Sequence, residues 1–154
     1  MKAILDTCII VDVLQNREPF SQDAKSIFLL CANQQFEGFL TAKAITDIYN
    51  LTHRQTHNDK ASRDVLIKLC SLFELLDTKA LDIHNAIFAE VSDFEDAVMI
   101  ETAIRSNVDC IVTRNQKDYN KAPIPVYTPS EFVELINKES EDLEGISALF
   151  GGIG

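Results

Sequence analysis

The sequence predicts an α/β fold in which a parallel β-sheet is covered on both faces by helices. Short apolar runs, each followed by a polar residue, alternate along the chain with longer stretches in which apolar residues recur at helical spacing. Strands that alternate with helices are typical of βαβ units, which place helices on both faces of a parallel sheet. We therefore expect three layers with a central sheet of about five strands.

The composition is that of one globular domain. The chain has 154 residues, of which 46% are hydrophobic and 25% are charged, so disordered, collagen-like and solenoid proteins are excluded. No apolar run approaches the roughly 18–20 residues that span a bilayer, and we expect neither a membrane segment nor a signal peptide. The 4 cysteines are dispersed without a C-x-x-C pair, so we expect them to be reduced and buried in a cytoplasmic protein.

Negative charge is concentrated near the carboxyl terminus. The net charge is −10, so long-range attraction of nucleic acid is not expected. Half of this excess lies after Ser130, where 6 acidic residues accompany 1 basic residue. Residues 138–154 combine acidic residues with Ile146, Leu149 and Phe150 and end in glycine. We predict a domain over residues 1–137 and a flexible or partner-binding tail over residues 138–154.

The individual elements follow from periodicity and from breaker residues. Predicted strands cover residues 2–5, 38–41, 74–77, 109–113 and 124–127. Predicted helices begin directly after Asp6 and cover residues 20–32, 42–53, 62–73, 81–91 and 93–106. Pro125 places the last strand at the sheet edge, because proline cannot donate a ladder hydrogen bond, and Pro129 suits the first turn of a last helix.

Polar residues follow the predicted strands at the edge where such folds bind ligands. In an open α/β sheet, ligands lie beyond the carboxyl ends of the strands, where strand order reverses. Asp6 follows the first strand, and Asn115 and Asp118 follow the fourth. Asp96 lies in the first turn of the helix that precedes the fourth strand. Asp47 lies in the helix after the second strand and joins the group if its side chain faces inward.

Carboxylates that share a pocket repel one another and raise each other's pKa values, which makes little sense for stability alone. A divalent cation removes the difficulty, and Mg²⁺ and Mn²⁺ favour carboxylate oxygens and water. Such an ion lowers the pKa of a bound water and stabilises charge that develops on phosphate. The pattern is therefore consistent with metal-assisted phosphodiester hydrolysis.

Each acid also has a structural explanation. Asp6 could cap the helix that follows it, and Asp96 suits a helix amino terminus because acids there interact favourably with the helix dipole. Asp118 could be a turn residue, and Asp47 could lie on a solvated helix face. Residue by residue, the structural and the metal-binding roles both stay open.

Taken together, the order and spacing of these residues resemble those of PIN-domain proteins, in particular the VapC-like toxins of toxin–antitoxin pairs. The likeness covers roughly residues 1–137. It is carried by five segments: Ile4-Leu-Asp6-Thr-Cys-Ile-Ile-Val-Asp-Val-Leu, Thr41-Ala-Lys-Ala-Ile-Thr-Asp47-Ile-Tyr, Asp93-Phe-Glu-Asp96-Ala, Ile111-Val-Thr-Arg-Asn115-Gln-Lys-Asp118-Tyr and Ile124-Pro-Val-Tyr-Thr-Pro-Ser-Glu-Phe132.

The resemblance implies a three-layer PIN-like fold and a metal-dependent endoribonuclease. Asp6, Asp47 and Asp96 stand at the positions of the family's metal-binding acids and would hold Mg²⁺ or Mn²⁺. The second acid of the family is usually Glu, whereas this chain has the shorter Asp47. The fourth acid is replaced by Asn115, with Asp118 three residues later. Either the carbonyl of Asn115 binds the metal or Asp118 supplies the missing charge.

By the same resemblance, Thr113 and Arg114 would contact the RNA backbone, and a cognate antitoxin and a second copy of the chain would be partners. Two other functions stay open. One is a degenerate PIN-like binding or scaffold protein without nuclease activity. The other is a phosphatase that uses Asp6 as its nucleophile, although such an enzyme is expected to have an acid two residues later, where this chain has Cys8.

Overall fold

The computed structural model describes residues 1–151 and confirms the predicted α/β architecture. Five parallel strands form a sheet in the order β3-β2-β1-β4-β5. The strands are β1 Lys2–Leu5, β2 Glu37–Thr41, β3 Glu74–Leu76, β4 Cys110–Val112 and β5 Val126–Tyr127. The chain moves from β1 to one side of the sheet and returns to β4 on the other side. The carboxyl ends of β1 and β4 therefore flank the point where strand order reverses, where ligands bind in such folds.

Within the described residues, seven α-helices flank this sheet. They are α1 Thr7–Leu14, α2 Ser21–Ala32, α3 Ala42–Thr56, α4 Asp59–Leu72, α5 Ala80–Ile87, α6 Phe94–Arg105 and α7 Pro129–Phe150, and a short 3₁₀ helix, Gln116–Tyr119, follows β4. Most bounds lie within a few residues of the predicted ones. Helix α5 ends earlier than predicted, because the following residues connect it to Asp93, which caps α6. Strand β5 begins only after Pro125.

Apolar clusters pack against the two faces of the sheet. Side chains alternate along a strand, so neighbouring residues of β1 belong to different clusters. Leu5 packs on one face with residues of α1, α2, α3, α4 and α7. Ile4 packs on the other face with residues of α6. The predicted three layers are therefore confirmed.

A buried ion pair joins α5 to α6. The Asp82 side chain is 1% exposed and accepts hydrogen bonds from Arg105 Nε at 2.8 Å and from the Lys79 backbone N–H at 2.8 Å. Burial by itself would raise the pKa of Asp82, but these donors outweigh burial and lower it below its ordinary value. The pair fixes the position of α6, whose first turn carries Asp96.

The segment predicted as a tail is helical as far as the structure describes it. Residues 138–150 continue α7, and residues 152–154 lie outside the described residues. Along this part of the helix, Leu143, Ile146, Leu149 and Phe150 fall on a helical period. All four side chains are exposed. A partner-binding role for this segment stays a prediction.

Two expectations about membranes and cysteines can be compared with the structure. In the part of the chain that the structure describes, no helix combines the length and the apolarity needed to cross a membrane. The cysteines are free, with Cys31 and Cys110 buried and Cys8 half-buried. Cys70 is exposed, so its predicted burial is wrong. The physical reason is that the preceding residue of α4, Leu69, packs in the core, and successive residues of a helix face different directions.

We expect Asp82→Asn to lower the free energy of unfolding by about 2–3 kcal/mol, because Arg105 would lose the charged partner of a buried pair. Urea denaturation followed by circular dichroism measures the change. Asp64→Asn, at an exposed position of the same charge, serves as the control and should change stability by less than about 0.5 kcal/mol. Equal stabilities of the two variants would contradict the role given to Asp82.

Candidate active site

A cleft of about 340 Å³ opens at the carboxyl edge of the sheet. Three of the predicted site residues, Asp6, Asp47 and Asp96, line it together with Lys43 and Glu95. Asp6 directly follows β1, and α3 begins directly after β2 and brings Lys43 and Asp47 to the cleft. The first turn of α6 supplies Glu95 and Asp96. Thr78, after β3, also lines the cleft, which is therefore assembled from four segments that are far apart in the sequence.

A hydroxyl donor from the neighbouring strand holds the Asp6 carboxylate. Thr113, which follows β4, is fully buried, and its Oγ1 donates to Asp6 Oδ2 at 2.7 Å. Asp6 occupies the residue before α1, but its side chain makes no capping hydrogen bond to that helix. The structure therefore gives no support to a capping role for the Asp6 side chain. The carboxylate is instead directed across the β1–β4 junction.

Asp96 has an unusually high pKa and a tyrosine partner. Tyr119 Oη donates to Asp96 Oδ1 at 2.8 Å. Burial, together with the carboxylates of Asp93, Asp6 and Asp118, raises the pKa of Asp96 to about 6, against the opposing effect of the hydrogen bond from Tyr119. Asp93 caps α6, because its Oδ1 accepts the Asp96 backbone N–H at 3.0 Å. Asp93 therefore has the structural role, and Asp96 presents its carboxylate to the cleft.

Lys43 pairs with two acids of the cleft. Its Nζ lies 2.8 Å from Asp47 Oδ2 and 3.3 Å from Glu95 Oε1. The three side chains are 44%, 42% and 73% exposed, respectively. Burial by itself would lower the pKa of Lys43, but the two carboxylates outweigh it and raise the pKa. Asp47 therefore faces the cleft, and its carboxylate is engaged by a cation of the same chain.

The predicted fourth position lies beside the cleft rather than in its lining. Asn115 is exposed, and its backbone N–H donates to Thr113 Oγ1 at 3.0 Å. Asp118 is half-buried on the 3₁₀ helix, and its backbone N–H donates to the Asn115 carbonyl at 3.0 Å. Asp118 lies near enough to raise the pKa of Asp96. Of the two residues, Asp118 therefore has the observed electrostatic link to the cleft.

The residues predicted to contact RNA have partners within the chain. Arg114 Nε donates to Asp12 Oδ2 at 2.6 Å, and its guanidinium lies 4.0 Å from the centre of the Phe20 ring. Asp12 is fully buried on α1, and a buried carboxylate needs such a cation. The hydroxyl of Thr113 donates its hydrogen bond to the Asp6 carboxylate. The structure thus gives Thr113 and Arg114 structural roles, and contact with RNA stays a prediction for both.

Three functional side chains were absent from the sequence prediction: Lys43, Glu95 and Tyr119. Lys43 stands four residues before Asp47 on a helix, a spacing that brings opposite charges together, so it could have been found. Glu95 is adjacent to Asp96 in the first turn of α6, so the argument that places Asp96 at the edge of the sheet applied to Glu95 as well. Tyr119 carries no such indication, because an aromatic residue after a strand is usually part of the core.

The donors in the cleft have the chemistry that a hard divalent cation requires. Asp6, Asp47, Glu95 and Asp96 offer carboxylate oxygens, and no Cys or His appears among the described residues that line the cleft. Within residues 1–151, no three His, Cys, Asp or Glu side chains are arranged closely enough to hold a metal ion. In this arrangement Asp47 and Glu95 are engaged with Lys43, and Asp6 and Asp96 are the acids without a basic partner.

Solved structures with a similar fold include several toxins. A toxin–antitoxin complex from Klebsiella pneumoniae matches with a TM-score of 0.62 at 21% identity, over 82% of this chain and 97% of that chain. VapBC-1 from nontypeable Haemophilus influenzae matches with 0.62 at 14% identity, over 84% and 99%. Mycobacterium tuberculosis VapC20, described as a sarcin–ricin loop cleaving toxin, matches with 0.55 at 14% identity, over 71% and 86%. These likenesses show the fold.

Comparison with protein families identifies the family of the chain, whereas the structural similarities identify only its fold. No curated protein matches the chain significantly. A family model described as PIN domain matches residues 2–117, a range that contains the whole lining of the cleft and Asn115 of the fourth position but ends just before Asp118. That range is about three quarters of the sequence. The chain therefore belongs to the PIN-domain family.

Proposed function

We propose that this chain is a metal-dependent endoribonuclease that hydrolyses RNA phosphodiester bonds. The observation that carries the proposal is the convergence of Asp6 and Asp96 on one cleft at the switch point of the sheet, each oriented by a hydroxyl donor from elsewhere in the chain. Among the described residues, neither carboxylate forms an ion pair with Lys or Arg. Both therefore remain available to a cation.

The charge of the cleft supports a requirement for a divalent ion. Four carboxylates and one ammonium line it, so the negatively charged backbone of RNA would be repelled from the free site. Bound Mg²⁺ or Mn²⁺ would neutralise this charge, lower the pKa of a bound water and stabilise the charge that develops on the phosphate. The acidity of the cleft and a polyanionic substrate are then compatible.

The residues of the chain have distinct roles in this proposal. Asp6 and Asp96 would hold the cation between β1 and α6. Asp47 would help to bind it or would orient the attacking water. Asn115 or Asp118 would complete the outer part of the site, and Asp118 is favoured by its electrostatic effect on Asp96.

The orientation of the two principal acids depends on their donors. A carboxylate that is hydrogen-bonded by a buried hydroxyl keeps one rotamer, and partners of metal ligands contribute to metal affinity in this way. Thr113 and Tyr119 have this role, since one is fully buried and the other is 2% exposed. Arg114 also borders this edge of the sheet, where we propose that it contacts the RNA backbone, whereas Thr113, also predicted to contact RNA, is fully buried and would act through Asp6.

We further propose that the protein is the toxin of a toxin–antitoxin pair. Structures that share its fold are described as toxin–antitoxin or VapBC complexes from Klebsiella pneumoniae, Rickettsia felis and Salmonella typhimurium. By this likeness the partners would be a cognate antitoxin and a second copy of the chain, in the cytoplasm. The exposed apolar side chains near the end of α7, such as Leu149 and Phe150, offer a surface for such a partner.

The main alternative is a PIN-like binding protein without nuclease activity. It is favoured by the Lys43–Asp47 ion pair and by the amide of Asn115 at the fourth acidic position. A phosphatase with Asp6 as nucleophile has less support. Burial raises the pKa of Cys8 to about 11, with a contribution from Asp6, so the thiol two residues after Asp6 is a poor acid–base group near neutral pH.

The proposal predicts that Asp6→Asn and Asp96→Asn each reduce the rate of RNA cleavage at least about 100-fold, equivalent to about 3 kcal/mol of transition-state stabilisation, because each removes a charged ligand. The measurement is the initial rate of cleavage of single-stranded and structured RNA in Mn²⁺. Asp64→Asn, an exposed acid outside the cleft, is the matched control and should keep the parental rate. Parental rates in both cleft variants would rule the proposal out.

The orienting role of Thr113 gives a separate prediction. Thr113→Val keeps the shape of the side chain and removes the donor to Asp6, so Mn²⁺ affinity and cleavage rate should fall about 10–100-fold. Thr113→Ser keeps the hydroxyl and should lie within about threefold of the parent. Calorimetry and the cleavage assay measure the two effects. If serine and valine impair the protein equally, the hydroxyl does not orient Asp6.

A further inference from the structure

Lys43 connects the two helices that form the sides of the acidic cleft. It lies in the first turn of α3, and its Nζ reaches Asp47 on the same helix and Glu95 at the start of α6. Among the described residues that line the cleft, Lys43 is the one basic side chain, against four acids. The ammonium therefore occupies one side of a site whose donor chemistry fits a divalent cation.

The acids of the cleft fall into two groups. Asp47 and Glu95 are within 3.3 Å of the Lys43 ammonium. Asp6 and Asp96 instead accept hydrogen bonds from uncharged hydroxyls. A cation bound between Asp6 and Asp96 would share the negative charge of Asp47 or Glu95 with Lys43, which holds one oxygen of each of these carboxylates.

The strength of the pairs allows such an exchange. The side chains are partly exposed, and ion pairs of this kind contribute about 0–1 kcal/mol to stability because solvent screens them. A divalent ion at the same oxygens interacts more strongly than an ammonium ion does. Lys43 would therefore weaken cation binding without preventing it.

We propose that Lys43 is a positioning residue that competes with the divalent cation for Asp47 and Glu95 and so sets the cation affinity of the cleft. The inference rests on the proposed metal site, but it concerns a different property. If Lys43 merely stabilised α3, its removal would disturb Asp47. Metal binding would then be unchanged or weaker rather than tighter.

The experiment is a calorimetric titration of the purified chain with Mn²⁺. Lys43→Gln should lower the dissociation constant about tenfold, because it removes one positive charge close to the bound ion and frees Asp47. Lys43→Arg keeps the charge and should lie within about threefold of the parent.

Arg63→Gln controls for net charge. Arg63 forms the same kind of i,i+4 ion pair, with its Nε 2.9 Å from Asp59 Oδ2, but it does not line the cleft. Its removal should leave the Mn²⁺ dissociation constant within about twofold, because solvent screens exposed charges beyond about one Debye length. Circular dichroism establishes that all variants are folded.

A double-mutant cycle tests whether Lys43 acts through Asp47. In an Asp47→Asn background, Lys43→Gln should improve Mn²⁺ affinity by clearly less than tenfold, because Asp47 is already removed and only Glu95 is left for the lysine to pair with. An undiminished tenfold gain in that background would overturn the part of the inference that concerns Asp47.

The outcomes separate this inference from the proposed function. Tighter binding by Lys43→Gln than by the parent supports competition, including the case in which the parent shows no binding and only the variant binds, which would contradict metal dependence of the parent. Binding by the parent with equal or weaker binding by Lys43→Gln overturns the inference and leaves the proposed metal site intact. Absence of Mn²⁺ binding in both proteins overturns both.

Discussion

Repulsion among the carboxylates at the carboxyl edge of the sheet is the constraint on which the surrounding structure depends. Asp6, Asp47, Glu95 and Asp96 face a single cleft, and the like charges of Asp93, Asp6 and Asp118 raise the pKa of Asp96. The chain compensates them in two ways. Buried hydroxyls donate to Asp6 and Asp96, and the ammonium of Lys43 pairs with the other two acids. Each of the four carboxylates therefore has a hydrogen-bond or ion-pair partner from its own chain.

The topology explains why these acids meet. Asp6 and Thr113 are 107 residues apart, yet they are neighbours because β1 and β4 pair in parallel, with Leu5 opposite Val112. The amino terminus of α6 is placed beside them by the Asp82–Arg105 pair at the other end of that helix. The positions of the acids therefore depend on the rigid sheet and on one buried ion pair remote from the cleft.

The sequence predicts those features of the fold and the site that depend on neighbouring residues in the chain. Strand and helix periodicity placed Asp6 and Asp96 at the correct edge of the sheet, because a residue at the end of a parallel strand has one available position. Arg114 pairs with Asp12, 102 residues away, and such a pairing cannot be deduced from local patterns. The acid within the apolar run of α1 is the local signal that could have indicated a buried cation partner. The helical continuation of α7 was missed because its acidic residues suggested a solvated tail, although its apolar residues keep a helical period.

The central claim is that Asp6 and Asp96 together hold a divalent ion. Anomalous diffraction at the manganese edge from crystals grown with Mn²⁺ tests it most directly, because it locates the ion independently of activity. The account predicts an anomalous peak between the carboxylates of Asp6 and Asp96 in the parent protein and its loss in Asp6→Asn. A peak elsewhere, or no peak in the cleft at saturating Mn²⁺, would contradict it.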